Sequence, residues 1–200
     1  YNTTYTMKKL ILLVAVCLIP LSAIEAKKKC QMNIASFNLR MDTESDKENA
    51  WKYRKEFVCA LVAFHDFDIF GTQEGFTHQL NDLTRSGEYA YVGVGRDDGK
   101  DEGEHSAILY KTSRFQVLKQ GNFWFSETPE ELSYGWDAKI RRICSWAQFK
   151  DKISGKKFYF FNVRYDHIAP IARRESSKLL LQRIKEIAGD APVFCTGDFN

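Results

Sequence analysis

The sequence predicts an α/β (α+β) domain in which two packed sheets are covered by helices. Strand-like and helix-like patterns alternate at both ends of residues 27–200, and a block of hairpin-forming strands separates the two ends. No linker, repeat or low-complexity stretch interrupts this order, which is typical of two packed sheets with helices outside. Of the 200 residues, 44% are hydrophobic and 28% are charged, which suits one globular domain rather than a disordered or fibrous chain.

Two strands and two helices precede the hairpin block. The stretch QMNIASFNLR (31–40) alternates two sets of side chains and predicts a mostly buried strand with a polar end. From Asn49, a candidate N-cap, a helix is predicted through residue 65. Its helically spaced apolar residues are Trp51, Val58, Leu61, Val62 and Phe64. FDIFGTQE (67–74) predicts a second short strand with a polar end, and FTHQLNDLTRS (76–86) a short helix.

The middle of the chain predicts five further strands. They are YAYVGVG (89–95), SAILYK (106–111), FQVLKQGNFWFS (115–126), RICSWAQFKD (142–151) and KKFYFFNVR (156–164). Gly, Asp and Lys turns separate them, and ISGKK (153–157) is typical of a hairpin connection. Residues 169–189 then restore helical spacing through Ile171, Leu179, Ile184 and Ile187, and Gly189 ends this helix before a final strand.

The N-terminal segment has the layout of a secretory signal peptide. Met7 is followed by two lysines, by the apolar run LILLVAVCLIPL and by Ala26 as a cleavage residue. Residues 1–26 are therefore interpreted as a signal peptide with upstream residues, and residues 27–200 as the domain. A membrane anchor is the alternative, but about 12 apolar residues are too few to span a bilayer comfortably. We expect an exported protein, periplasmic or extracellular, with no stable membrane span after cleavage.

Charge and cysteine content narrow the function classes. Cleavage after Ala26 lowers Lys plus Arg from 29 to 27 and Asp plus Glu from 26 to 25, which leaves a net charge of +2. That charge is too small to indicate a nucleic-acid-binding protein by itself, because such proteins usually carry a concentrated basic stripe. Cys59, Cys144 and Cys195 lie in apolar segments, where a thiol usually acts as a small buried hydrophobe. No C-x-x-C spacing occurs, so we predict neither zinc nor an essential disulfide.

Polar residues follow four of the predicted strands. They are Asn38 after the first, Gln73 and Glu74 after the second, Asn162, Arg164, Asp166 and His167 after the seventh, and Asp198 and Asn200 after the eighth. In open sheets, ligands bind where such strand ends converge. Each residue alone is typical of a turn or a surface position. Together, carboxylates and amides at one sheet edge can hold a magnesium ion beside a phosphate, and a second acid such as Asp198 can activate the attacking water.

Six ordered blocks carry a resemblance to a known family. IASFNLR, FDIFGTQE, YVGVGRDDGK, WFSETPEELSYGWDAKIRRICSWAQF, FNVRYDHIAPIARRESSKLL and PVFCTGDFN resemble the endonuclease/exonuclease/phosphatase family, particularly its small secreted bacterial members. The resemblance covers residues 31–200. It implies a four-layer αββα sandwich of two packed mixed sheets and the hydrolysis of phosphate esters with Mg²⁺ or Mn²⁺.

The resemblance also implies a role for individual residues. Glu74 would be the metal ligand, and Asn38 would assist at metal or phosphate. Asp198 would orient and activate the attacking water, and Asn200 would hold phosphate or that water. His167 matches the family pattern and is a candidate catalytic residue, with a hydrogen-bonded turn residue as the alternative.

The candidates for substrate binding are Arg96, Arg142 and Arg164. Arg96 belongs to an R-D-D-G loop that resembles the family's substrate side, although a solvated turn would have the same composition. Arg141 and Arg142 are adjacent, and strand alternation lets only one of them face phosphate. Arg164 stands where family members usually carry a His that hydrogen-bonds the scissile phosphate. An Arg can donate to phosphate, but it cannot act as an acid near neutral pH.

The sequence ends on GDFN, after which family members continue with further strands and an Asp-His pair. We therefore expect a protein truncated at its C-terminus and an incomplete sandwich, with about 80 residues missing from a domain of ordinary size. A naturally short protein is the alternative. The sequence predicts a secreted, monomeric hydrolase of a phosphodiester or sugar phosphate. The alternative is a catalytically impaired phosphate-binding module of the same fold. Nucleic acid is a less favoured partner, and the sequence does not distinguish it from a phospholipid headgroup or a sugar phosphate.

Overall fold

The computed structural model describes residues 31–200. The predicted signal peptide, residues 1–26, lies outside these residues, as does Cys30. Within the described part, eight strands form two four-stranded sheets. The strands are β1 (Ile34–Asn38), β2 (Ile69–Gln73), β3 (Tyr89–Val92), β4 (Ile108–Lys111), β5 (Phe115–Trp124), β6 (Ile143–Asp151), β7 (Lys157–Arg164) and β8 (Val193–Asp198). The helices are α1 (Trp51–His65), α2 (Thr77–Thr84) and α3 (Pro170–Ala188), with a 3₁₀ segment at Glu44–Asn49.

Both sheets are mixed. The first has the order β1-β2-β4-β3 and the second the order β5-β6-β7-β8. β1 pairs in parallel with β2, and β7 pairs in parallel with β8, whereas the remaining neighbours are antiparallel. This arrangement confirms the predicted fold class of two packed mixed sheets with helices.

Three apolar clusters separate four layers. The cluster between the two sheets contains Ile69, Ile108, Phe149 and Phe160. A second cluster packs α1 and α2 on the outer face of the first sheet, and a third packs α3 on the outer face of the second. Because side chains alternate along a strand, β7 supplies Phe158 and Phe160 to the layer between the sheets and Tyr159 and Phe161 to the layer under α3.

The structure corrects several local predictions. Helix α1 begins after Ala50, which makes no side-chain cap, rather than after Asn49. Leu61 and Phe64 are exposed, and only Trp51, Val58 and Val62 of that helix are buried. Ile171 of α3 is also exposed, because Ala172, Ser176 and Leu180 form the buried side of this helix.

The cysteines differ in their environment. Cys144 is fully buried, Cys59 is half-buried and Cys195 is exposed, and all three are free thiols. Cys195 thus departs from the expected buried position, because its side chain points away from the layer between the sheets.

Candidate active site

The side chains between the sheets change from apolar to polar along four neighbouring strands. On β1 the inward row begins with Ile34 and ends with Asn38, and on β7 it runs from Phe160 to Arg164. Because β1 with β2 and β7 with β8 are parallel pairs, their carboxyl ends meet at one edge of the sandwich. The polar ends of these rows form the candidate site.

Two side chains bridge the same pair of carboxylates at the centre of this site. Nδ2 of Asn38 donates to Oε1 of Glu74 at 2.9 Å and to Oδ2 of Asp198 at 3.0 Å. Nη2 of Arg164 lies 2.8 Å from the same Glu74 oxygen, and its Nη1 donates to the same Asp198 oxygen. The structure therefore brings together four residues that the sequence placed on four different strand ends.

Glu74 is held in a conformation that is uncommon for its residue type. It directly follows β2 and has φ = 63°, in the left-handed region that side chains with a Cβ rarely adopt. Such backbone conformations concentrate at functional sites, where the surrounding contacts impose them. The backbone N–H of Met41 donates to Glu74 Oε2 at 3.2 Å and helps to fix this carboxylate.

The charge state of Glu74 follows from its surroundings. Burial alone would raise its pKa, but the hydrogen bonds from Asn38 and Met41 and the positive charge of Arg164 lower the pKa below its ordinary value. Glu74 is therefore ionised at neutral pH, as a ligand for a cation must be.

A third carboxylate, Glu104, joins the site from the loop before β4. Its Oε2 lies 2.8 Å from Nη1 of Arg96 and 3.9 Å from Nε of Arg164. These buried atoms make no well-directed hydrogen bond within the described chain, so the contacts are ion pairs rather than hydrogen bonds. Sequence reasoning missed Glu104, because it lies in a loop outside the predicted strands and helices.

Arg96, Arg142 and Arg164 line one crevice together with Glu104. Of the adjacent pair of arginines, only Arg142 enters the site, and Arg141 lies over the ring of Tyr134 at 4.5 Å. Burial lowers the pKa of Arg142, and the positive charge of Arg96 lowers it further, while Asp166 opposes both effects. Glu104 already pairs with Arg96 and Arg164 in this crevice, which has no room for a water molecule.

His167 lies at the border of the site. Nη2 of Arg142 is 2.9 Å from Nδ1 of His167, and Nε of Arg142 donates to Asp166 at 3.2 Å. A guanidinium has only donors, so Nδ1 of His167 must accept, and the proton of the neutral ring is then on Nε2. The exposed ring thus presents an N–H donor, while Asp166 holds Arg142 and accepts from the backbone N–H groups of Ile168 and Ala169 in the turn before α3.

Asn200 lies in the turn after β8. Its Nδ2 donates to the carbonyl of Tyr165 at 3.0 Å, and its backbone N–H donates to Oδ1 of Asp198 at 3.2 Å. In this position it orients the Asp198 carboxylate and ties the turn to the end of β7. Its predicted contact with phosphate or water stays a prediction.

A buried polar layer supports the site from below. Oδ1 of Asn162 accepts from Gln73 at 2.8 Å and from Thr196 at 3.0 Å, and its Nδ2 donates to the carbonyls of Thr72 and Ala107. All hydrogen-bonding groups of this side chain are satisfied. The sequence indicated Asn162 only as a polar strand end, whereas the structure shows it as the hydrogen-bonded link between the two sheets.

Gly71 permits this close approach of the sheets. A Cβ at this position would collide with Oγ1 of Thr196 and Oδ1 of Asn162. The small residue in the middle of β2 is therefore required by the polar layer rather than by backbone conformation.

The residue types at the centre of the site fit a hard divalent cation. Glu74 and Asp198 supply two carboxylates, and cations such as Mg²⁺ prefer carboxylate and carbonyl oxygens. Oε2 of Glu74 and Oδ1 of Asp198 each accept one hydrogen bond and keep a free lone pair. Asn38, in contrast, turns its amide nitrogen toward the carboxylates and its Oδ1 toward the N–H of Arg40. Within residues 31–200 no cluster of three or more His, Cys, Asp or Glu side chains has metal-binding geometry.

Helices of the described chain give no indication of a membrane-spanning segment, since none of them is both long and apolar enough.

Comparison with known proteins places this geometry in context. The sequence model of the endonuclease/exonuclease/phosphatase family matches residues 35–200. An uncharacterized protein of Acanthamoeba polyphaga mimivirus is 30% identical over 165 residues, which cover 75% of this chain and 59% of that protein.

Two solved structures from Bacteroides are more similar in sequence. A mannosyl-6-phosphatase of Bacteroides thetaiotaomicron is 48% identical, with a TM-score of 0.82 over 85% of this chain and 66% of that one. An endonuclease/exonuclease/phosphatase of Bacteroides vulgatus is 44% identical, with a TM-score of 0.82 over 84% of this chain and 66% of that one. The chain thus spans about two thirds or less of the length of the proteins that it resembles.

Proposed function

The chain belongs to the endonuclease/exonuclease/phosphatase family, and on that basis we propose that the whole protein is an exported, divalent-metal-dependent hydrolase of sugar phosphates. The observation that carries the proposal is the convergence of Asn38, Glu74 and Asp198 at the carboxyl ends of three strands. The substrate class is supported by the 48% identity to a mannosyl-6-phosphatase and by the modest net charge, which does not favour a nucleic acid.

Glu74 would hold the cation, with the negative charge of Asp198 beside it. When bound, the cation neutralises the phosphoryl oxygens and stabilises the leaving oxygen. The ion is Mg²⁺ or Mn²⁺ in this proposal. Arg96 and Arg142 would bind the remaining phosphoryl oxygens, because guanidinium groups pair with phosphate through charge-assisted hydrogen bonds.

Asp198 would also orient the attacking water. Its Oδ2 is bound by Arg164 and Asn38, so Oδ1 is the oxygen with a free lone pair for a water proton. His167 would donate from Nε2 to a substrate oxygen, in the tautomer that Arg142 selects. Asn200 would keep the Asp198 carboxylate in place.

The experiment compares hydrolysis of mannose 6-phosphate and bis-p-nitrophenyl phosphate by the whole protein with and without Mg²⁺ or Mn²⁺. We expect metal-dependent turnover of the monoester, and we expect Glu74→Gln to abolish it, because the amide removes the negative charge that binds the cation. Glu56→Gln is the matched control, since Glu56 pairs with Arg85 on the surface, away from the site. Unchanged turnover in Glu74→Gln would refute the role of Glu74.

A second candidate function is a phosphate-binding module without turnover. The observation that favours it is that Arg164, rather than a group able to transfer a proton, faces both carboxylates. Tight binding of mannose 6-phosphate by the whole protein without hydrolysis in the presence of either metal would favour this function.

Export of the protein is also proposed, and it is supported by the signal-peptide pattern of residues 7–26 alone. Cell fractionation and N-terminal sequencing of the native protein would test it. A mature N-terminus after Ala26 in an exported fraction is the expected result, and a cytoplasmic protein that retains this segment would contradict it.

A further inference from the structure

We infer that Arg164 is an internal counter-cation that competes with a divalent cation for the carboxylates of Glu74 and Asp198. This inference rests on the proposed function, because it concerns the same metal site. It predicts that the site binds a cation more weakly than the carboxylates alone would allow.

The two inner carboxylate oxygens are already used within the protein. Oε1 of Glu74 accepts from Asn38 and contacts Arg164, and Oδ2 of Asp198 does the same. A carboxylate oxygen has two lone pairs, so neither atom has one left for a cation. A cation that binds Oε1 of Glu74 or Oδ2 of Asp198 must displace the guanidinium. A cation that binds only Oε2 of Glu74 and Oδ1 of Asp198 must lie beside a positive charge.

Burial strengthens this competition. The side chains of Arg164 and Glu74 are 13% and 11% exposed, so solvent screens their attraction only in part. Glu104, 3.9 Å from Nε of Arg164, adds a third carboxylate that holds the guanidinium in place.

The position of Arg164 also indicates where the guanidinium would act once it is displaced. It lies beside Arg96 and Arg142, which line the same narrow crevice around the Glu104 carboxylate. Displacement from Glu74 would leave its Nη2 free to donate to a phosphoryl oxygen. Cation and phosphate would then each favour binding of the other, since such coupling is reciprocal.

The test measures Mn²⁺ affinity of the whole protein at neutral pH from the electron paramagnetic resonance signal of free Mn²⁺. Arg164→Gln removes the charge and is expected to tighten Mn²⁺ binding by about tenfold or more. A unit charge a few ångströms away in a partly buried site interacts by more than the ~1.4 kcal/mol that corresponds to tenfold. Arg85→Gln, which removes an exposed arginine paired with Glu56, controls for net charge and should leave the affinity unchanged.

A second variant covers the case in which Arg164→Gln does not fold, since it leaves three carboxylates close together without the positive charge between them. Arg164→Lys keeps the charge, but one ammonium group cannot reproduce the two-pronged contact of the guanidinium. Its Mn²⁺ affinity is expected to exceed that of the parent by a few fold.

The possible outcomes distinguish a failure of this inference from a failure of the proposed function. Loss of Mn²⁺ binding in Glu74→Gln assigns the measured binding to this site. If the parent binds Mn²⁺ there and neither Arg164 variant binds it more tightly, the competition is refuted while metal dependence stands. If neither the parent nor the variants bind Mn²⁺ at this site, both the inference and the metal-dependent function are refuted.

Discussion

Arg164 and Glu74 form an ion pair of 2.8 Å that joins the end of β7 in one sheet to the end of β2 in the other. The pair exists because alternation along β7 directs Asn162 and Arg164 to the same inward side. Asn162 links the sheets below, and Arg164 links them at the rim of the site. Four predictions follow from this and the neighbouring contacts.

Replacing Arg164 by His should raise kcat more than it lowers KM for mannose 6-phosphate. An arginine attracts the phosphate in the ground state and the transition state alike, whereas only an interaction that strengthens in the transition state accelerates the reaction. A neutral imidazole also leaves Glu74 and Asp198 free of a competing cation. Steady-state kinetics of the variant and the parent test this. A higher KM with no gain in kcat would show that Arg164 contributes to substrate binding.

Asp166→Asn should destabilise the whole protein by about 3–5 kcal/mol at neutral pH, because it leaves the buried Arg142 without its partner. Burial alone would raise the pKa of Asp166, but the N–H groups of Ala169 and Ile168 and the charge of Arg142 lower it below the ordinary value. The ionised carboxylate therefore stabilises the fold above its unfolded-state pKa of about 3.9, and that contribution is lost as the pH falls through the folded-state pKa.

Denaturant unfolding of Asp166→Asn and the parent across acidic and neutral pH checks this. The difference in stability should shrink toward low pH. Asp190→Asn is the matched control, since this carboxylate is 96% exposed in its pair with Lys185, and its unfolding should match the parent. A difference that stays constant down to acidic pH would contradict the role of the Asp166 charge.

Asn162→Ala should lower the free energy of unfolding by about 3 kcal/mol or more. The change leaves buried donors and acceptors of both sheets without partners and opens a cavity in the same place. Thermal or urea unfolding measures the loss. Asn81→Ala on the exposed side of α2 should cost less than about 0.5 kcal/mol, and equal effects of the two substitutions would show that the polar layer is not stabilising.

Long DNA should bind weakly, with a shallow dependence of log affinity on log salt. The chain after Ala26 carries a net charge of only +2, and its arginines at the site are paired with carboxylates. Few phosphate contacts release few counterions, so the slope is small. Fluorescence anisotropy with a labelled duplex at several salt concentrations measures it, and a slope that corresponds to about six or more phosphate contacts would favour a nuclease.

The sequence by itself determined the order of the elements and the ends of the strands that carry polar residues. Period-two alternation in β1 and β7 is a local property, so the residues that share a face with Asn38 and with Arg164 could be derived from the sequence alone. The family resemblance added Glu74 as the expected metal ligand and Asp198 as the residue expected to activate the attacking water, and the family match confirmed the family. Their individual roles remain predictions until the variants are measured.

Only the tertiary structure decided which side chains at these strand ends contact one another. Glu104 follows a loop without a strand pattern, and only the packing of that loop against β7 brings its carboxylate to Arg96 and Arg164. The exposure of Phe64 in α1 likewise depends on which side of the helix meets the first sheet. Helical spacing defines a set of faces, but long-range packing chooses the buried one, because burial is a property of the neighbours that the fold supplies.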